Sequence, residues 1–226
     1  MEEYFDILSQ CPLFSGISRQ ELEQMLSCLG GKITGIAKGN PVFLEGDPAE
    51  FVGVVLSGKV QIVRTDYYGN RSVLTVVSPG GLFAEAFACA DVETLPVSVI
   101  ALQNSTVLLL DCKRVLTGCS NACPFHSRLV RNLLQGIAQK NLMLTSKIRC
   151  MSQKTTQEKL MEFLLEQAKQ QGSAEFVIPY DRQALADYLG VERSAMSKEN
   201  LQKSSDFSTF KNRVLDVNLK VNPKLI

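Results

Sequence analysis

The sequence predicts an α+β chain of two domains, an antiparallel β domain followed by a helical one, and three observations carry that prediction. Between Ile33 and Asp111, short β-prone runs alternate with turn residues. From Pro124 one helical segment runs to about Ser152, and beyond Thr156 further helical stretches are punctuated by glycine. The 226 residues, 45% hydrophobic and 21% charged, suffice for one large domain or two of ordinary size with a sizeable core.

The first element is SRQELEQMLSCLG, a helix with Ser18 as N-cap, Glu21 three residues later and glycine at its end, the pattern of a capping box. The β region then reads VFLEGDP, FVGVVLSGKVQIVRTD, YYGNRSVLTVV, SPGGLF, PVSVIAL and NSTVLLLD. Runs of this length and spacing predict a small antiparallel sandwich or barrel, with glycines at 39, 46, 53, 58, 69, 80 and 81 at its corners. Within it, Glu85 stands in LFAEAFACA with no charged neighbour until Asp91. A lone carboxylate among apolar residues is costly to bury unless something pairs with it, which marks this stretch as a candidate site.

In the long segment Val130, Leu134, Ile137, Asn141, Leu144, Ile148 and Met151 recur at alternating spacings of four and three, a heptad seam. This predicts a parallel two-stranded dimer helix, with Asn141 at an a-type position fixing register. A single core-facing helix with a wide apolar stripe is the alternative. A second stripe, Leu129, Leu133, Gly136 and Met143, is expected to pack on the β domain.

A helix QEKLMEFLLEQAKQQG follows, ended by Gly172, then FVIPY as a short strand and DRQALADYLGVERSAMSKENLQK. Asp181 is the expected N-cap of the next helix, with Leu185 and Leu189 inward, small Ala186 at a close crossing, Gly190 at the break, and a second helix from about Glu192. That pattern predicts a helix-turn-helix whose outer face carries Arg193, Ser194, Ser197 and Lys198, with Ala195 and Met196 turned inward. Arginine can contact guanine in bidentate fashion, and serine and lysine reach base edges or phosphates.

Taken together, GNPVFLEGD, VVLSGKV, the long connecting helix and LADYLGVERSAMSKE resemble a Crp/Fnr superfamily transcription regulator over nearly the whole chain. The resemblance implies a β jelly roll of the cyclic-nucleotide-binding type with N-terminal helices (1–122), a long dimerisation helix (123–153) and a winged helix-turn-helix (154–226). It further implies a homodimer on a roughly palindromic double-stranded operator, a small-molecule or redox effector, and contact with RNA polymerase if the protein activates. Family geometry would build the effector pocket from 82–97, closed by the long helix near Gln135 to Asn141. Ala84, Glu85, Thr94, Leu95, Pro96, Ser98 and Asn141 then become pocket residues.

Two departures limit that resemblance. Cyclic-nucleotide binders of the family hold the phosphate with a Gly-Glu segment and, about ten residues on, Arg-Ser. Here these positions are Ala84, Glu85, Leu95 and Pro96, which offer a phosphate no charge partner and, at proline, no N–H. Cyclic AMP is therefore not the expected effector, and a largely apolar small molecule is. The tail SSDFSTFKNRVLDVNLKVNPKLI has no glycine, so the wing is expected to be atypical. A ligand-binding or redox-sensing module with impaired DNA binding is the alternative reading.

Charge and cysteine usage bear on partners. Residues 1–120 carry 8 Lys/Arg against 13 Asp/Glu, whereas 121–157 carry six bases and no acid, although the net charge is only +1. Seven cysteines in a chain whose N-terminus MEEYFDILSQ resembles no leader are expected to be thiols, in a cytoplasmic protein with no membrane partner. Cys119, Cys123 and His126 fall within eight residues and are weak candidates for a metal, a haem or a thiol switch. Structural roles are the main expectation for them. Cys11 and Cys28 lack the clustering of iron-sulfur members, so no cluster and no other cofactor is expected. No nucleophile elbow, phosphate loop or paired-carboxylate site stands out, which argues against an enzyme.

Overall fold

The structure, a computed structural model, describes residues 2–69, 71–117, 124–173, 176, 178 and 180–198. In chain order these form α1 (Phe5–Gln10), α2 (Arg19–Cys28), β1 (Lys32–Ile36), β2 (Pro41–Phe43), β3 (Phe51–Ser57), β4 (Val60–Thr65), β5 (Arg71–Val77), β6 (Leu82–Phe83) and α3 (Glu85–Cys89). β7 (Ser98–Ala101), β8 (Ser105–Asp111), α4 (Cys112–Thr117), α5 (Pro124–Met151), α6 (Thr156–Gln171), α7 (Arg182–Leu189) and α8 (Arg193–Lys198) follow. The chain divides into two compact units after Ala138, inside α5.

The first unit contains two four-stranded antiparallel sheets, ordered β1-β8-β3-β6 and β2-β7-β4-β5. Alternation along β3 and β8 explains its layering. Val55 and Val107 point between the sheets, where they meet Phe43, Val60, Val77 and Val99 of the second sheet. Val54, Leu56, Leu108 and Leu110 point the other way, onto Leu8, Leu13, Phe14, Met25 and Leu26 of the N-terminal segments and Phe125, Leu129 and Leu133 of α5. β3 is buried along most of its length because both faces are covered, which is why FVGVVLS reads as a continuous apolar run rather than an alternating one. The edge strand β5 instead leaves Val73, Leu74 and Val76 exposed.

Local chemistry sets the helix ends. At α2 the Ser18 amide donates to Glu21 Oε2 (2.8 Å) and the Glu21 amide to Ser18 Oγ (3.4 Å), the expected capping box. Pro124 opens α5, where a missing N–H costs nothing. The first turns of α5 are tied down by Asn132 Nδ2 donating to the carbonyls of Leu13 and Ser15, and by Arg128 Nη1 donating to Gly16 O. Of the second α5 stripe, Leu129 and Leu133 pack as expected, but Met143 is exposed. It lies beyond Ala138 and belongs to the second unit.

The second unit packs Cys150 of α5, Leu160, Phe163, Leu164 and Ala168 of α6, Leu185, Ala186 and Leu189 of α7 and Met196 of α8 into one core. Thr155 and Glu158 form a second capping box at α6, and Gly172 closes that helix in the left-handed conformation (φ 61°). Of the expected strand FVIPY, Val177 and Pro179 lie outside the described residues; Phe176 is buried and Ile178 packs beside it.

Candidate effector site and nucleic-acid interface

The candidate effector site is built where β6 passes into α3. β6 pairs with β3 through Gly53↔Phe83 and Val54↔Leu82. A Cβ on Gly53 would overlap the Phe83 ring, so only glycine lets that ring lie against the strand. Phe83 also packs against Phe43, with ring centroids 6.0 Å apart. The chain then turns at Ala84 with φ 63° and ψ −4°, the left-handed conformation that costs a residue with a Cβ about 1–2 kcal/mol. This turn swings Glu85, 5% exposed, into the first position of α3.

The segment at Thr94 and Leu95 is held by the β2–β3 loop. The Leu95 amide donates to Asp47 O (2.8 Å) and the Gly46 amide to Leu95 O (2.9 Å), while Thr94 bridges to Pro48. Leu95 is 2% exposed and its side chain joins Phe43, Phe83, Val99 and Val107 between the sheets. Pro96 and Thr94 are exposed. Ser98 takes a different place from the one expected: it alternates with Val99, which faces the interior, and its Oγ accepts the Glu45 amide at 2.9 Å. Asn141 is exposed and belongs to the second unit.

One polar group of the interior escaped the sequence reading. Thr34 is paired with Val107 across β1–β8, and directly opposed residues of an antiparallel pair share a face. Its Oγ1 is buried and has no hydrogen-bond partner. The signal in KITGI was the alternation of Thr34 with Ile36, which packs at the interior cluster. The space between the sheets is mostly apolar, with Thr34 Oγ1 buried there, and Glu85 is buried at the start of α3.

The second candidate site is α7 and α8. Asp181 Oδ1 accepts the Ala184 amide (2.8 Å) at the start of α7, and Gly190 at φ 61° breaks the helix as expected. Leu185, Ala186, Leu189 and Met196 face the core, whereas Arg193, Ser194 and Ser197 are exposed. The side chain of Lys198 lies outside the described residues, as does the wing segment 199–226. Much of the basic run at 121–157 is occupied within the chain. Arg149 pairs with Glu162 (3.4 Å) and Glu166 (3.5 Å), Lys147 lies 5.1 Å over the Tyr188 ring, and Arg128 serves Gly16. The charge asymmetry thus holds elements together as well as facing outward.

Cys119 and Cys123 lie outside the described residues. His126 is buried, and its Nε2 meets Val115 O at 2.9 Å. A carbonyl only accepts, so Nε2 carries the proton and ties α5 to α4. Among the described residues no group of three or more His, Cys, Asp or Glu side chains is arranged to hold a metal, and no helix is long and apolar enough to cross a membrane.

Comparison with known proteins bears on both sites. A model of the cyclic nucleotide-binding domain matches residues 34–121. The cyclic AMP receptor protein of Thermus thermophilus is 31% identical over 99 residues, 44% of this chain and 44% of its own length. Residues 34–121 of the N-terminal unit are a cyclic nucleotide-binding domain, similar in sequence to these CRP-like regulators. A CRP-like cAMP-activated global transcriptional regulator of Mycobacterium tuberculosis is 29% identical over 80 residues, 35% of each chain. These matches span less than half the length of either curated relative. Among solved structures, the sensor domain of the transcriptional regulator DNR from Pseudomonas aeruginosa has a TM-score of 0.50 at 23% identity, covering 66% of this chain and 93% of that one. The c-di-GMP responsive global regulator CLP of Xanthomonas campestris has a TM-score of 0.53 at 18% identity, covering 91% and 100%. Both share the fold. Leu95, expected from the sequence at the place of a phosphate-pairing arginine, is buried within this domain.

Proposed function

We propose that the protein is a dimeric, DNA-binding transcription regulator whose sensor responds to a small molecule other than cyclic AMP. The observation that carries the regulator reading is the α7–Gly190–α8 pair. Leu185, Ala186, Leu189 and Met196 are turned inward and Arg193, Ser194 and Ser197 outward, in a chain whose residues 34–121 are a cyclic nucleotide-binding domain. Phosphate contacts from lysine and arginine would supply most of the affinity, and Arg193 with its serine neighbours the sequence preference.

The effector reading is supported by Leu95. A cyclic phosphate needs a cationic or N–H partner at that end of the pocket, and the site offers a core leucine with its amide already donating to Asp47, followed by proline. The remaining surfaces suit an apolar ligand carrying a hydroxyl or amine that Thr34 or Glu85 could meet.

Three measurements test these readings separately. Fluorescence anisotropy with upstream DNA from the protein's own locus should show salt-dependent, sequence-selective binding. Arg193→Ala should weaken the specific site by about 1–3 kcal/mol with non-specific affinity kept. Operator selection unchanged by Arg193→Ala would remove α8 as the reading helix. Calorimetric titration with cyclic AMP should give no saturable heat, and mass spectrometry of molecules released from the purified protein should reveal a compound without a phosphate.

A further inference from the structure

Two thiols lie in contact where α3 meets α4. Cys89 ends α3 and Cys112 begins α4, and their Sγ atoms are 3.7 Å apart although 23 residues separate them in the chain. Val52, Ala88 and Leu82 surround the pair. Cys112 is buried and Cys89 half-buried, so a reagent in solution meets Cys89 first. Burial, with the charges of Glu85 near Cys89 and of Asp111 and Asp91 near Cys112, pushes both thiols up, Cys112 to about 12. Asp111 itself pairs with Arg114. At neutral pH both sulfurs are therefore protonated and held as a dithiol, slow to react but already adjacent.

A disulfide bond requires an S–S distance of about 2.05 Å, so the two sulfurs must approach by roughly 1.7 Å. We propose that Cys89 and Cys112 are a reversible oxidation site that closes to a disulfide by exchange with a low-molecular-weight disulfide. The Cys89 thiolate attacks one sulfur of the oxidant, forming a mixed disulfide and releasing one thiolate. The Cys112 thiolate then attacks the Cys89 sulfur and releases the second. Two electrons pass from the cysteine sulfurs to the oxidant, and the two protons lost by the cysteines end on the two released thiols. The product joins the C-terminal end of α3, whose first residue is Glu85, to the residue that directly follows β8. Oxidation would thereby fix the helix that carries Glu85 onto the sheet, independently of whether the second unit binds DNA.

The test uses the full chain equilibrated in mixtures of oxidised and reduced glutathione, alkylated, digested and read by mass spectrometry. No lysine or arginine lies between Arg71 and Lys113, so trypsin leaves both cysteines in one peptide. A second protease cutting after Glu93 separates them. Cys28, exposed on α2, should form a mixed disulfide with glutathione and so report exposure to the oxidant. The expected product links Cys89 to Cys112, and Cys112→Ser should arrest Cys89 at the glutathione adduct. The proposal is overturned if Cys28 is fully modified while Cys89 and Cys112 remain alkylatable after unfolding, or if either links instead to Cys119 or Cys123. Amide exchange over 85–89 should slow on oxidation and recover on reduction; exchange that does not change removes the proposed hold on α3.

Discussion

Leu95 concentrates what a single residue decides here. Its side chain fills the space between the sheets, its amide serves Asp47, and its carbonyl serves Gly46. Burying such a side chain contributes about 1.5–3 kcal/mol, whereas a cation at the same place would need a partner to offset desolvation. Leu95→Ala should therefore cost about 2–5 kcal/mol in denaturant unfolding, the range for a core leucine. A cost below about 1 kcal/mol would show that Leu95 lines open space instead. Ala84 holds a left-handed turn without being glycine, its methyl buried in the interior cluster. Cys112 has a consequence at alkaline pH. Its thiol is raised in the folded protein to about 12 from 9.0, so its contribution to stability is complete below about pH 9. That contribution is lost as pH rises toward 12, because the unfolded chain ionises first. Chemical denaturation between pH 8 and 10.5 should show a declining midpoint, and Cys112→Ala should flatten the decline.

At the scale of elements, α5 shows how one helix carries two faces. Leu129 and Leu133 are consumed by the sensor core, while Leu134, Leu144, Ile148 and Met151 of the heptad seam are exposed, with Val130 and Ile137 half-buried and Asn141 exposed among them. A row of exposed leucine and isoleucine on a helix is what a two-stranded coiled coil would bury. Leu144→Glu with Ile148→Glu should convert the proposed dimer to a monomer in sedimentation while far-ultraviolet circular dichroism stays unchanged. A dimer that survives both charges would place the interface elsewhere. The caps of the neighbouring helices are local by contrast. Ser18 with Glu21 and Asp181 with Ala184 close within three residues, which is why capping residues located those two helix starts; the Thr155–Glu158 box at α6 is equally local and appears only in the structure.

For the whole molecule, the cores fall into separate sets, one within and outside the two sheets of the first unit and one among α5, α6, α7 and α8 of the second. Differential scanning calorimetry should resolve two transitions, with Leu95→Ala lowering one and leaving the other in place. A single transition that shifts as a whole would mean that α5 couples the units into one cooperative block. By itself the sequence determined the order of β and helical regions and the helix ends, because these depend on residue type and on spacings of a few residues. Only the tertiary structure decided that Leu95 is core, that Ser98 turns away from the interior and Thr34 toward it, that much of the basic run is engaged within the chain, and that Cys89 meets Cys112. Those facts follow from the strand order β1-β8-β3-β6 and from which sheet face each residue takes, and contacts made across a sheet leave no local periodicity to read.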